Sequence, residues 1–114
     1  MENKQKKYIL TIDIGTTSTR AILVNKKGDM EAVSQIELDL FCPHDGWVEQ
    51  NPLEIWLKVK QTISNVLRKA DASAKEIGGI AITNQRETTI IWDKKTGLPV
   101  YNAIVWQSRQ SQYI

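Results

Sequence analysis

Residues 9–20, ILTIDIGTTSTR, run an apolar stretch into Asp13, pass Ile14 and break at Gly15. The hydroxyls of Thr16, Thr17 and Ser18 follow at once, then Thr19 and Arg20. Residues 8–14 are apolar at nearly every position, as in a strand covered on both faces. Gly15 lets the backbone turn at little steric cost. The next three residues then offer amide N–H groups and hydroxyls together, a nest for anionic oxygens such as phosphate. Arg20 adds a fixed positive charge that can approach the same oxygens.

Asp13 has the wrong sign for that task. Two like unit charges ~4 Å apart at an effective dielectric near 20 repel by about 4 kcal/mol. A divalent cation between them reverses the sign. A carboxylate facing a phosphate turn therefore argues for Mg²⁺, reached through water. The stretch is neither G-x-x-x-x-G-K-[ST] nor G-x-G-x-x-G. An ordinary hairpin, with Asp13 and the threonines making local turn bonds, is the alternative reading of the same residues.

Residues 19–25 (TRAILVN) form a second apolar run, Lys26-Lys27-Gly28-Asp29 a turn, and residues 30–38 a third strand. Three runs joined by short turns predict an antiparallel meander. Residues 41–50 (FCPHDGWVEQ), with Pro43 and Gly46, read as a loop. A helix follows: Asn51 suits the N-cap, Pro52 the first turn, and Glu54 a capping box. Leu53, Trp56, Val59, Ile63, Val66, Leu67 and Ala70 recur at helical spacing and predict its buried stripe. Ser73 with Glu76 marks a short capped turn. Residues 78–83 (GGIAIT) read as another buried strand. Residues 88–93 and 98–105 flank KKTG as a hairpin. Residues 106–114 (WQSRQSQYI) carry no stop signal and read as a helix just begun, so the chain is expected to be part of something longer. Strands, a helix and a further strand in this order predict an α/β arrangement, a mixed sheet with a crossover helix.

A second polar group, Asn84, Gln85, Arg86 and Glu87, follows that further strand. Ligands of α/β sheets collect at such strand ends. Arg86 supplies donors and Glu87 acceptors, the pair that adjacent hydroxyls of a small polyol require. A solvated turn with a weak surface ion pair is the alternative. Trp106 can wall the apolar side of a small site, or pack in the core.

Composition narrows the field. The chain has 114 residues, a net charge of +2, 41% hydrophobic and 25% charged residues. This suits one folded domain or part of a larger one and points to neither nucleic acid nor an acidic membrane. Lys4, Lys6 and Lys7 precede no apolar segment of signal length, and no stretch has membrane-spanning length, so a cytoplasmic protein is expected. Cys42, the single cysteine, excludes an internal disulfide, fits a reducing compartment and is read as a packing residue. His44 has no partner at ligand spacing, so a zinc site is not expected.

The stretches DIGTTSTR, GWVEQNPLEIW and ITNQRETTIIWDKKTGLPVYNAIVWQ, in this order, resemble the opening of the glycerol kinase family. That family sits within a wider group of sugar and polyol kinases that includes xylulose and gluconate kinases. The resemblance runs from about Tyr8 to Gln107. It implies a ribonuclease H-like, actin-like ATPase fold, of which residues 1–114 are the N-terminal part of the first of two domains. The sheet would be incomplete at its C-terminal end and the second domain absent. It implies ATP-dependent phosphorylation of glycerol to sn-glycerol 3-phosphate. Carried over by position, Thr16, Thr17 and Ser18 meet ATP phosphates, Arg20 approaches ADP, and Asp13 lies near magnesium through water. Arg86 and Glu87 bind the glycerol hydroxyls, and Trp106 lies along the carbon backbone. The catalytic base falls beyond residue 114, so the chain alone is expected to be inactive, and the full-length form is expected to be a homo-oligomer. Ile14, where glycerol kinases usually carry glutamine, instead resembles the xylulose and gluconate kinases. The stretch after Trp106 carries less charge than is usual in the family. A non-catalytic nucleotide-binding module on the same scaffold is the competitor of a different class.

Overall fold

Leu10 and Ile12 are buried, while Ile9 and Thr11 between and beside them face the other way, as the period of an extended strand requires. The ladder to the next strand sets Leu23 opposite Leu10 and Ala21 opposite Ile12, so the four side chains share one face.

The computed structural model describes residues 5–112. Lys4 and the last two residues of the segment 106–114 lie outside them. Strands β1 (Tyr8–Ile14), β2 (Ser18–Asn25) and β3 (Met30–Glu37) form the expected antiparallel meander. Asn25 closes the β2–β3 turn, its side-chain oxygen accepting from the amides of Lys27 and Asp29. Gly28 takes φ +86° there, a backbone state that favours glycine.

The stretch 41–50 is a loop up to its last two residues, which form strand β4 (Glu49–Gln50). Helix α1 (Pro52–Lys69), a 3-10 turn (Ala74–Glu76) and strand β5 (Ile77–Thr83) follow. β5 pairs in parallel with β1, giving a four-stranded sheet of order β3-β2-β1-β5. The KKTG turn brings Trp92 opposite Pro99 as expected. Strand β6 (Ala103–Ile104) pairs with β4 in a separate two-stranded sheet. The mixed sheet and crossover helix are those expected.

The core lies between α1 and one face of the meander, where Leu10, Ile12, Ala21, Leu23, Val59 and Val66 are buried together. Burying a leucine such as Leu23 contributes about 1.5–3 kcal/mol. Two helix lysines also tie α1 to the edge strand, Lys58 Nζ donating to the Glu37 carbonyl at 2.7 Å and Lys69 Nζ to that of Val33 at 2.8 Å.

Six expectations need correction. β1 is covered on one face only, and Ile9 on the other is exposed, because α1 supplies a single layer. The buried helix positions are Val59, Thr62 and Val66, while Leu53 and Trp56 are exposed, Trp56 by 58%. Lys60 Nζ lies 5.4 Å from the Trp56 ring centroid instead. Asn51 caps α1 through the Leu53 amide, but Glu54 does not complete a capping box: it accepts from the Asp39 amide and pairs with Lys58 at 3.0 Å. The box forms at Ser73 and Glu76 as read. β5 is an edge strand, and Ile80 and Ile82 stay exposed because α1 packs over the meander rather than over β5. Residues 106–112 form turns, not a helix, with the Arg109 amide donating to the Gly46 carbonyl at 2.7 Å. Cys42 is exposed, because its loop runs over the surface.

Candidate active site

β1 and β5 run parallel, so their carboxyl ends open on the same side of the sheet. Gly15 leaves β1 and Asn84 leaves β5 at that edge. Gly15 leaves room at the turn: a Cβ there would stand a tight 3.1 Å from the Ser18 carbonyl oxygen, which accepts the Gly15 amide at 2.9 Å. At the strand ends, the Thr83 hydroxyl donates to Asp13 Oδ1 at 2.8 Å, joining the two tips.

Between the tips lies a cavity of about 350 Å³ lined by Gly15, Thr16, Asn84, Gln85, Arg86, Glu87 and Trp106. A depression of about 450 Å³ lies beside Lys26 and Lys27 at the other end of the meander. The carboxyl ends of parallel strands are where α/β sheets hold ligands, which favours the first. Glu87 there has φ +59°, an uncommon state for a residue with a side chain. Such strain collects at ligand-binding positions.

The sequence-derived residues divide. Thr16, Arg86, Glu87 and Trp106 share the cavity. Asp13 is bound to Thr83 at the strand tips beside it. Thr17, Ser18 and Arg20 do not line it. Ser18 Oγ accepts from Gln35 Nε2 at 3.1 Å, and Arg20 stands opposite Asp13 in the β1–β2 ladder. Trp106 is half exposed rather than core, and its indole donates to Thr16 Oγ1 at 3.0 Å.

Gln50 was not among the expected site residues. It is buried on β4, and its Nε2 donates to the Thr16 carbonyl while its Oε1 accepts from Gln85 Nε2 at 2.8 Å. Its polar type beside a helix cap gives no sign of this in sequence. The neighbouring Glu49 is also buried and accepts from Tyr101 Oη at 2.7 Å, Gln110 Nε2 at 2.7 Å and Asn102 Nδ2 at 3.2 Å. Burial alone pushes the Glu49 carboxyl up, but these three hydrogen bonds, with His44 nearby, outweigh it and hold the group below its ordinary value. The bond to Glu49, with burial, holds the Tyr101 phenol above its own.

Among the described residues no group of three acidic, histidine or cysteine side chains could hold a metal alone. Asp13, a lone carboxylate, could hold a magnesium ion only as one that draws most of its ligands from elsewhere, as such ions do.

The family model for the N-terminal domain of the FGGY family of carbohydrate kinases matches residues 8–114. The chain belongs to the FGGY family of carbohydrate kinases. This FGGY chain is 56% identical over 110 residues to a glycerol kinase of Listeria monocytogenes serotype 4a, covering 96% of the chain and 22% of that relative. It is 58% identical over 109 residues to a glycerol kinase of Oceanobacillus iheyensis, again covering 96% and 22%. Among solved structures, Plasmodium falciparum glycerol kinase with ADP superposes with a TM-score of 0.80 at 30% identity, over 96% of this chain and 22% of that one. Xylulose kinase from Rhodospirillum rubrum gives 0.81 at 28% identity, over 90% and 21%. The chain thus spans about a fifth of the length of these relatives. Its α/β fold is that of the actin-like sugar kinases.

Proposed function

We propose that this chain is the N-terminal part of the first of two domains in an ATP-dependent glycerol kinase that makes sn-glycerol 3-phosphate. The observation that carries the reading is one cavity shared by the phosphate-turn residue Thr16 and the polyol-binding candidates Arg86, Glu87 and Trp106. In the reaction a glycerol hydroxyl oxygen attacks the γ-phosphorus, the bond to the ADP oxygen breaks, and the hydroxyl proton passes to a base. We assign that base to the part of the relatives this chain does not span. Arg86 and Glu87 hold the hydroxyls, Trp106 covers the carbon backbone, and Thr16, Thr17 and Ser18 meet the phosphates with Arg20 near ADP. Asp13 would hold magnesium through water, and the ion would neutralise phosphate charge. The whole enzyme is read as a cytoplasmic homo-oligomer.

Xylulose and gluconate kinases share the fold, so the fold does not choose the substrate. The 56–58% identity to glycerol kinases and the Arg86–Glu87 pair favour glycerol. Competition between glycerol, xylulose and gluconate on the full-length enzyme with Mg-ATP tests this. Preference for glycerol is expected; preference for either sugar substrate overturns it. Residues 1–114 alone should show no turnover above blank.

A further inference from the structure

We infer that Gln50 is a positioning residue that fixes the spacing between the phosphate turn and the polyol loop; this rests on the kinase reading above. Gln50 is 1% exposed, and both ends of its amide are engaged. The Thr88 hydroxyl donates to Gln85 Oε1 at 3.1 Å, Gln85 Nε2 donates to Gln50 Oε1, and Gln50 Nε2 donates to the Thr16 carbonyl. The donors all point one way, so each amide orientation is set by the one before it. Gln85 directly precedes Arg86 and Glu87, while Thr16 sits in the phosphate turn. The middle of the strap is fixed in turn: Gln50 pairs with Ala103 on β6, and Trp106 follows that strand closely.

A strap of this kind couples the two subsites, because a shift of either end displaces the other. Gln50→Met keeps the length of the side chain and removes both bonds. In the full-length enzyme we expect kcat to fall about tenfold to a hundredfold, the scale of two lost buried hydrogen bonds. We also expect the coupling between glycerol binding and nucleotide binding to weaken. Gln85→Met should do the same, and the double variant should be no worse than Gln50→Met alone. Should Gln50→Met fail to fold, the half-buried Gln85→Met decides. Unchanged coupling in the folded variants, whatever kcat does, or additive losses in the double variant, overturns the inference alone. Wild-type enzyme without glycerol turnover overturns the kinase reading and the inference with it.

Discussion

The indole of Trp106 donates to the Thr16 hydroxyl at 3.0 Å across 90 positions of sequence. Because that oxygen accepts from the ring, its own O–H can donate to a further acceptor, which the proposed function takes to be a phosphate oxygen. Trp106→Phe keeps an apolar wall and removes the donor. In the full-length enzyme kcat should fall by about threefold to tenfold with little change in glycerol KM. Trp106→Ala should raise glycerol KM as well. Steady-state kinetics in both substrates checks this.

Arg86→Gln should lower kcat/KM for glycerol by about tenfold to a hundredfold, the scale of a charge-assisted hydrogen bond, and leave the ATP KM nearly unchanged. Glu87→Gly should lose glycerol affinity while the melting temperature holds or rises, since glycine accepts the φ of +59° without strain. A fall in both would mean that Glu87 is structural.

Asp13→Asn should lower activity by about tenfold to a hundredfold, as outer-sphere ligands of a metal do. The loss should be partly recovered at high magnesium. Titration of activity against magnesium measures it, and an unchanged magnesium midpoint would remove Asp13 from the ion.

Glu49 sets a pH dependence. Its folded carboxyl titrates below its ordinary value of 4.5, so its stabilisation is present above that pH and is lost as pH falls through the folded value. Glu49→Gln should cost about 1–3 kcal/mol at neutral pH, because three donors lose a charged acceptor. The difference from wild type should shrink below pH 4.5 in thermal melts.

Among the described residues nothing pairs with the outer edge of β5, and Ile80 and Ile82 on its face are 63% and 65% exposed. Unpaired edges of this kind join other chains. Residues 1–114 alone should self-associate in sedimentation at high concentration, and Ile80→Lys with Ile82→Lys should reduce it. A clean monomer in the unsubstituted chain would contradict the expectation.

Local patterns carried most of the elements. Apolar runs broken by turn residues predict the meander, and Asn51 with Pro52 predicts the helix start, because these signals act over neighbouring residues. The same rules misplace Trp56, since helical spacing names a stripe but not which side meets the sheet. They also read 78–83 as buried, since an apolar strand does not report whether a layer covers it.

Which strands turn where, and which polar residues stand at their tips, is already written in the order of residues, because hydrophobic period and turn chemistry are local. The meeting of Thr16, Gln50, Gln85 and Trp106 comes from the packed fold alone. Their contacts span 34, 35 and 90 positions, and such closure depends on how the sheets and loops pack rather than on any neighbouring residues.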